Sequence, residues 1–197
     1  MTATWAVVLV KDFGSAKQRL APALRPEERG RLARTNAKLA IAAAAAADRV
    51  LAVCGSRDAA ELAEALRVEV LLEAQPRGQN SAAWLGITHA MSVGARAVLL
   101  LSSDLPLVTH NAIADMLRVA EQLAPPAVVA APAIGRNGTN ALYLAPPTAV
   151  ELHFGDGSLA KFESDAIQRG TRFQLYPSPE LALDLDEPSD LEMLKDM

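Results

Sequence analysis

Residues 97–109, AVLLLSSDLPLVT, are the stretch on which the reading of this chain turns. Val98 to Leu101 is an unbroken apolar run with no polar alternation, the pattern of a strand buried on both faces of a parallel sheet. The run gives way to Asp104. A carboxylate just beyond the carboxyl end of a central strand in an open α/β sheet lies where such folds bind ligands, although Asp104 also reads as an ordinary polar loop residue. Pro106 keeps Leu105 extended and forbids an immediate helix, and Thr109 is a good cap for a helix expected to end near Leu123.

Towards the N-terminus the same strand and helix signals alternate. Trp5 to Val10 predicts a first buried strand, followed by the loop KDFGSAKQRLAP, residues 11–22. Gly14, Ser15, Lys17 and Arg19 there supply backbone donors and two cations, as phosphate-receiving loops do; a solvated βα loop would carry the same residues. Pro26, with Glu27 and Glu28 in the opening turn, starts a helix expected over 26–47, its tail the six alanines 42–47. A strand at 50–53, a helix at 58–66 and a strand at 68–72 follow. In AQPRGQNSAAW, residues 74–84, Pro76 and Gly78 break the chain before a helix starting near Asn80. Asn80 is either an N-cap or, with Gly78 and Gln79, part of a loop whose amides read a base edge.

Towards the C-terminus a strand is expected at 127–131, then the glycine-rich IGRNGTN of 134–140, a strand at 141–144 and a helix at 148–152. The loop HFGDGS, 153–158, precedes a helix at 159–169 and a strand at 173–176. Two glycine-rich turns so close together invite anion binding, because glycine lets backbone N–H groups converge. LALDLD, 181–186, alternates strictly, so as a strand it would put Asp184 and Asp186 on one face; magnesium would relieve their repulsion, and a solvated edge strand is the plainer alternative. Ser189 is expected to cap a last short helix containing Leu191 and Leu194.

This order predicts a single α/β domain over residues 1–197, a mostly parallel sheet flanked by helices on both faces. The 51% hydrophobic share with only 4% aromatics implies an aliphatic core. A net charge of −4 without a basic block argues against a nucleic-acid binder, and no window is apolar enough for a membrane span. The lone Cys54 excludes an internal disulfide, and a cytoplasmic location is expected.

Taken together, Val10-Lys11 with Ala16 to Leu20, Ser103 to Leu107, Gly138 to Leu142, Phe154 to Ser158 and Asp184 to Leu191 resemble the guanylyltransferases that make coenzyme F-420. Members of that family activate 2-phospho-L-lactate or phosphoenolpyruvate with GTP, on the nucleotide-diphospho-sugar transferase type of Rossmann-like fold. The resemblance spans nearly the whole chain. It implies magnesium on Asp104, Asp184 and Asp186, with Asp104, Lys17 and Arg19 in the catalytic centre and the two cations facing the triphosphate. It implies the phosphorylated acid on Thr139, Gly155 and Ser158, guanine near Gly78, Gln79 and Asn80, and a homodimer. Where the family commonly has glycine, histidine and threonine, this chain has Asn137, Phe162 and Glu187. Two other readings use the same residues: a sugar-phosphate or molybdopterin nucleotidyltransferase, and a GTP-binding regulator that has lost the chemistry.

Overall fold

The computed structural model describes residues 3–135 and 137–195. Seven strands form one sheet: β1 (Thr4–Val10), β2 (Arg49–Cys54), β3 (Glu69–Leu72), β4 (Ala97–Ser102), β5 (Ala127–Pro132), β6 (Thr139–Ala145) and β7 (Arg172–Leu175). Their spatial order is β3-β2-β1-β4-β6-β5-β7. All neighbouring pairs are parallel except those of β6, which runs antiparallel to both β4 and β5. The connecting helices are α1 (Pro26–Ala44), α2 (Arg57–Ala65), α3 (Gln79–Ser92), α4 (His110–Glu121), α5 (Ser158–Gln168), α6 (Pro179–Ala182) and α7 (Pro188–Lys195).

Helices cover both sheet faces, and that is why the central strands read as continuous apolar runs. In β4, Leu99 and Leu101 pack with α1, α2 and α4, while Val98 and Leu100 pack with α3 and α5. All four are fully buried. The alanines of α1 and α2 bring these helices close to the sheet. On the other face Gly86 does the same for α3, since a Cβ there would collide with Val7 Cγ1. The chain leaves β3 and crosses the sheet to β4, so strand order reverses between β1 and β4, and the loops after these two strands diverge into a crevice. Asp104 lies just past β4, at that crevice.

Capping at Thr109 and Pro26 follows the expected chemistry: Thr109 Oγ1 accepts from Ala112 N at 3.1 Å, and Pro26 is the first residue of α1. Four local expectations are corrected. The helix expected over 26–47 ends at Ala44, after which Ala45, Ala46 and Ala47 each donate three residues back in tightened turns. No helix forms at 148–152: two prolines precede it, and Glu151 N donates to the Asp165 carboxylate at 2.7 Å instead of to a helical carbonyl. The segment 181–186 is not a sheet strand. Pro179 opens the single turn of α6, and beyond it Leu183 and Leu185 are buried while Asp184 and Asp186 are half-buried. The predicted alternation thus survives in a chain tied to the loop after β4 by the bond from Leu185 N to Asp104 O at 3.1 Å. Finally, Ser189 lies inside α7 and is exposed. The start of that helix is held by Asp190, whose carboxylate reaches back to Glu187 N at 2.6 Å and Asp186 N at 2.7 Å, half of a capping box.

Candidate active site

Lys17 adopts a left-handed backbone (φ 60, ψ 31), which turns its side chain inward beneath the loop after β1. The side chain is 1% exposed, and its ammonium donates to Leu185 O at 2.5 Å and lies 2.6 Å from Asp104 Oδ1. Lys11, the first residue past β1, reaches Asp104 Oδ2 at 3.1 Å with a side chain that is still 60% exposed. Burial opposes charge on Asp104, but the Lys17 and Lys11 ammonium groups outweigh it and hold its carboxyl below the ordinary range. The attraction of Asp104 likewise raises Lys11 against the effect of its own burial. The backbone of Asp104 is fixed too: its carbonyl accepts from Leu185 N and, at 3.4 Å, from Asn36 Nδ2.

Above this pair opens a cleft of about 910 Å³. Arg19, Gln79, Asp104, Asp184 and Asp186 line it, together with Thr139, Gly155 and Ser158. The fold therefore gathers eight of the residues singled out from sequence into one cavity. Arg19 Nη1 lies 3.1 Å from Asp186 Oδ2 and 3.5 Å from Glu187 Oε1, so the extra carboxylate at Glu187 shares the guanidinium of its neighbour. Asn140 Nδ2 donates to Leu181 O at 2.8 Å and Ala182 O at 3.1 Å, anchoring the segment that carries Asp184 and Asp186.

Within the same lining, Ser158 Oγ donates to Thr139 Oγ1 at 3.1 Å, joining the first turn of α5 to the start of β6. Gly155 (φ 123) and Gly157 (φ 65) occupy backbone conformations that L side chains rarely adopt, and they bend the chain so that this turn faces the cleft. Phe162 takes no part in the lining. It is fully buried on the inner face of α5, its ring against those of His153 and Phe154 at 5.5 and 5.3 Å.

Two expectations shift in place. Lys17 does not line the cleft but secures Asp104 from below, and Lys11 is the lysine that faces the opening. Asn80 is not an N-cap, since α3 begins at Gln79 after Gly78. Its amide makes a reciprocal pair with Phe154, donating to its carbonyl at 3.1 Å and accepting from its N–H at 2.8 Å. Sequence reasoning assigned no role to Lys11, Asn140 or Asp190. For Lys11 a signal existed, a cation directly after a central strand. Asn140 bonds to carbonyls 41 and 42 residues away that no local pattern marks, whereas Asp190 caps α7 locally, in place of the expected Ser189.

A second cavity of about 370 Å³ adjoins the cleft over the carboxyl ends of β1, β2 and β3. Gly78 and Gln79 line it, and Lys11, Gln79 and Ser102 belong to both cavities. As for magnesium, no group of three or more His, Cys, Asp or Glu converges as a ready ligand set among the described residues. The donors present fit that ion in another way. Magnesium takes one or two carboxylates together with substrate phosphates and water, and Asp104, Asp184 and Asp186 face one cleft wide enough for both.

A family model described as "Guanylyl transferase CofC like" matches residues 4–195. A phosphoenolpyruvate guanylyltransferase of Rubrobacter xylanophilus is 38% identical over 97% of this chain and 93% of its own length. A 2-phospho-L-lactate guanylyltransferase of Methanothermobacter thermautotrophicus is 35% identical over 95% of this chain and 82% of its own. Among solved structures, a nucleotidyl transferase from Methanothermobacter superposes with a TM-score of 0.67 at 20% identity, covering all of this chain and 97% of the other.

Proposed function

The chain belongs to the guanylyl transferase CofC-like family and is a nucleotidyltransferase, and from that premise we propose that it moves the guanylyl group of GTP onto the phosphate of a small phosphorylated carboxylic acid. Phosphoenolpyruvate or 2-phospho-L-lactate is the acceptor, and the reaction serves coenzyme F-420 biosynthesis in the cytoplasm. No helix among the described residues is long and apolar enough to cross a membrane. By the same family resemblance, the protein works as a homodimer.

One observation carries the reading. A single cleft at the β1/β4 crevice is lined by carboxylates and exposed cations together with the Thr139–Ser158 pair and the positive-φ Gly155. That is a site for two anions to meet. An oxygen of the acceptor phosphate attacks the α-phosphorus of GTP, the bond from that phosphorus to the bridging oxygen breaks, and pyrophosphate leaves with the electron pair. A phosphate monoester is ionised at neutral pH, so no general base is required. The protein's contribution is alignment and charge: Lys11 and Arg19 offset the negative charge of the triphosphate, while Thr139, Ser158 and the backbone at Gly155 orient the acid. Magnesium, held by Asp104 with Asp184 and Asp186, supplies further neutralisation of the phosphates when bound. Lys17 keeps Asp104 in place.

The test is pyrophosphate release measured with four nucleoside triphosphates against phosphoenolpyruvate, phospholactate, phosphoglycerate and a sugar phosphate. Turnover is expected with GTP and one of the phosphorylated acids. Preference for a sugar phosphate, or tight magnesium-dependent GTP binding with no release for any acceptor, would overturn the assignment.

A further inference from the structure

Of the carboxylates that line the smaller cavity, one is already engaged. Asp12 accepts from Gly14 N at 3.2 Å and Ser15 N at 3.0 Å, and the Ser15 hydroxyl together with these N–H groups holds its carboxyl below the ordinary range. The other is Glu73, the first residue past β3. Its backbone N–H is fixed to Cys54 O at 2.9 Å, which pins the residue at the carboxyl edge of the sheet. Its carboxylate makes no hydrogen bond or ion pair with any described residue, and no cation offsets its burial, which raises the carboxyl above its ordinary value. Leu9, Val53, Pro76 and Ala82 furnish apolar walls around it. The cavity is therefore a mostly apolar slot, of a size that holds small ligands, and Glu73, which also borders a neighbouring surface pocket with Arg77 and Ser81, is its one unengaged carboxylate. The slot shares Lys11, Gln79 and Ser102 with the cleft where the phosphates are proposed to react.

We infer that Glu73 is the residue that selects guanine, its two carboxylate oxygens accepting the N1–H and the N2 amino group of the base. This rests on the reading of the protein as a GTP-dependent transferase and names the group that would make it so. Guanine presents two adjacent donors along that edge, which a carboxylate meets with both oxygens. Adenine and cytosine each place a ring-nitrogen acceptor there, facing carboxylate lone pairs. Uracil presents one N–H between two carbonyls, and each carbonyl repels the carboxylate. A site built to take a donor leaves its own polar group unpaired when the donor is missing, so discrimination is expected to be large.

Glu73→Gln supplies the test, because an amide offers one acceptor and one donor. Xanthine complements that pair, having an N1–H beside a carbonyl where guanine has its amino group. Pyrophosphate release is measured for wild type and variant with GTP, ITP and XTP under the same acceptor. Wild type is expected to favour GTP over ITP, which lacks the amino group, by about tenfold or more in kcat/KM. The Gln variant is expected to reverse preference, using XTP better than GTP. A variant that keeps the wild-type preference for GTP over XTP would overturn the role of Glu73. So would a wild type that uses ITP as well as GTP, a measurement that stands even where the variant fails to fold. If wild type releases pyrophosphate only from a nucleotide other than guanine's, it is the guanylyl assignment that fails, and Glu73 with it.

Discussion

Asp104 is a carboxylate kept charged inside the protein by two lysines of the same loop, one buried beneath it and one facing solvent. Because its folded pKa is depressed, the stabilisation it provides is complete above its ordinary value of 3.8 and is lost as the pH falls through the lower folded value. Asp104→Asn leaves the Lys17 ammonium buried against a neutral group, and breaking such a pair costs on the order of 3 kcal/mol. Urea unfolding between pH 3 and pH 7 should show that deficit near neutrality, with the gap to wild type closing below about pH 4. Turnover of the variant is expected to fall by a hundredfold or more. A gap that stays constant across the titration would mean the ion pairs do not stabilise the fold. The carboxylate and its position after a buried strand were legible in the sequence. That Lys17 rather than Lys11 is the buried partner was not, since it depends on how the loop folds back to set one ammonium between Asp104 and Leu185 O.

Among the elements, α3 and the loop before α5 are coupled by the Asn80–Phe154 pair, across 74 residues of chain. The first turn of α3 carries Gln79 into both cavities, and Phe154 directly precedes Gly155, a residue of the proposed acceptor site, in the lining of the larger one. Asn80 is thus, on the proposed reading, a positioning residue between the nucleotide and acceptor regions. Asn80→Ala is expected to raise KM for the phosphorylated acid several-fold while leaving KM for GTP near wild type, since two hydrogen bonds of about 1 kcal/mol each are removed from the loop only. Equal changes in both constants would show that the pair merely supports α3. Most elements were legible from apolar periodicity and caps, as at Thr109 and Pro26. The exceptions, 148–152 and 181–186, share a cause: their backbone groups bond to distant side chains and carbonyls, so neither the 3.6 nor the 2.0 period describes them.

At the scale of the whole molecule, the site is assembled at a topological switch point, and its proposed metal arrives with the nucleotide. With no three-carboxylate cage among the described residues, EDTA is expected to abolish turnover yet leave the unfolding temperature of the nucleotide-free protein unchanged. Magnesium and GTP together at a hundred times Kd should stabilise it by about 2.7 kcal/mol. A fall in unfolding temperature on adding EDTA alone would point to a resident structural metal instead. The sequence by itself determined the α/β class, the buried strand leading to Asp104, the alternation of Leu183 to Asp186 and the family, because these rest on local burial patterns and on short motifs. Only the tertiary structure decided which groups meet. Arg19 finds Asp186 across 167 residues, Lys11 finds Asp104 across 93, and Glu73 joins residues of three strands and a helix in the lining of one cavity. Such meetings depend on strand order and on the direction each side chain takes from its backbone, and neither is written in any local stretch of chain.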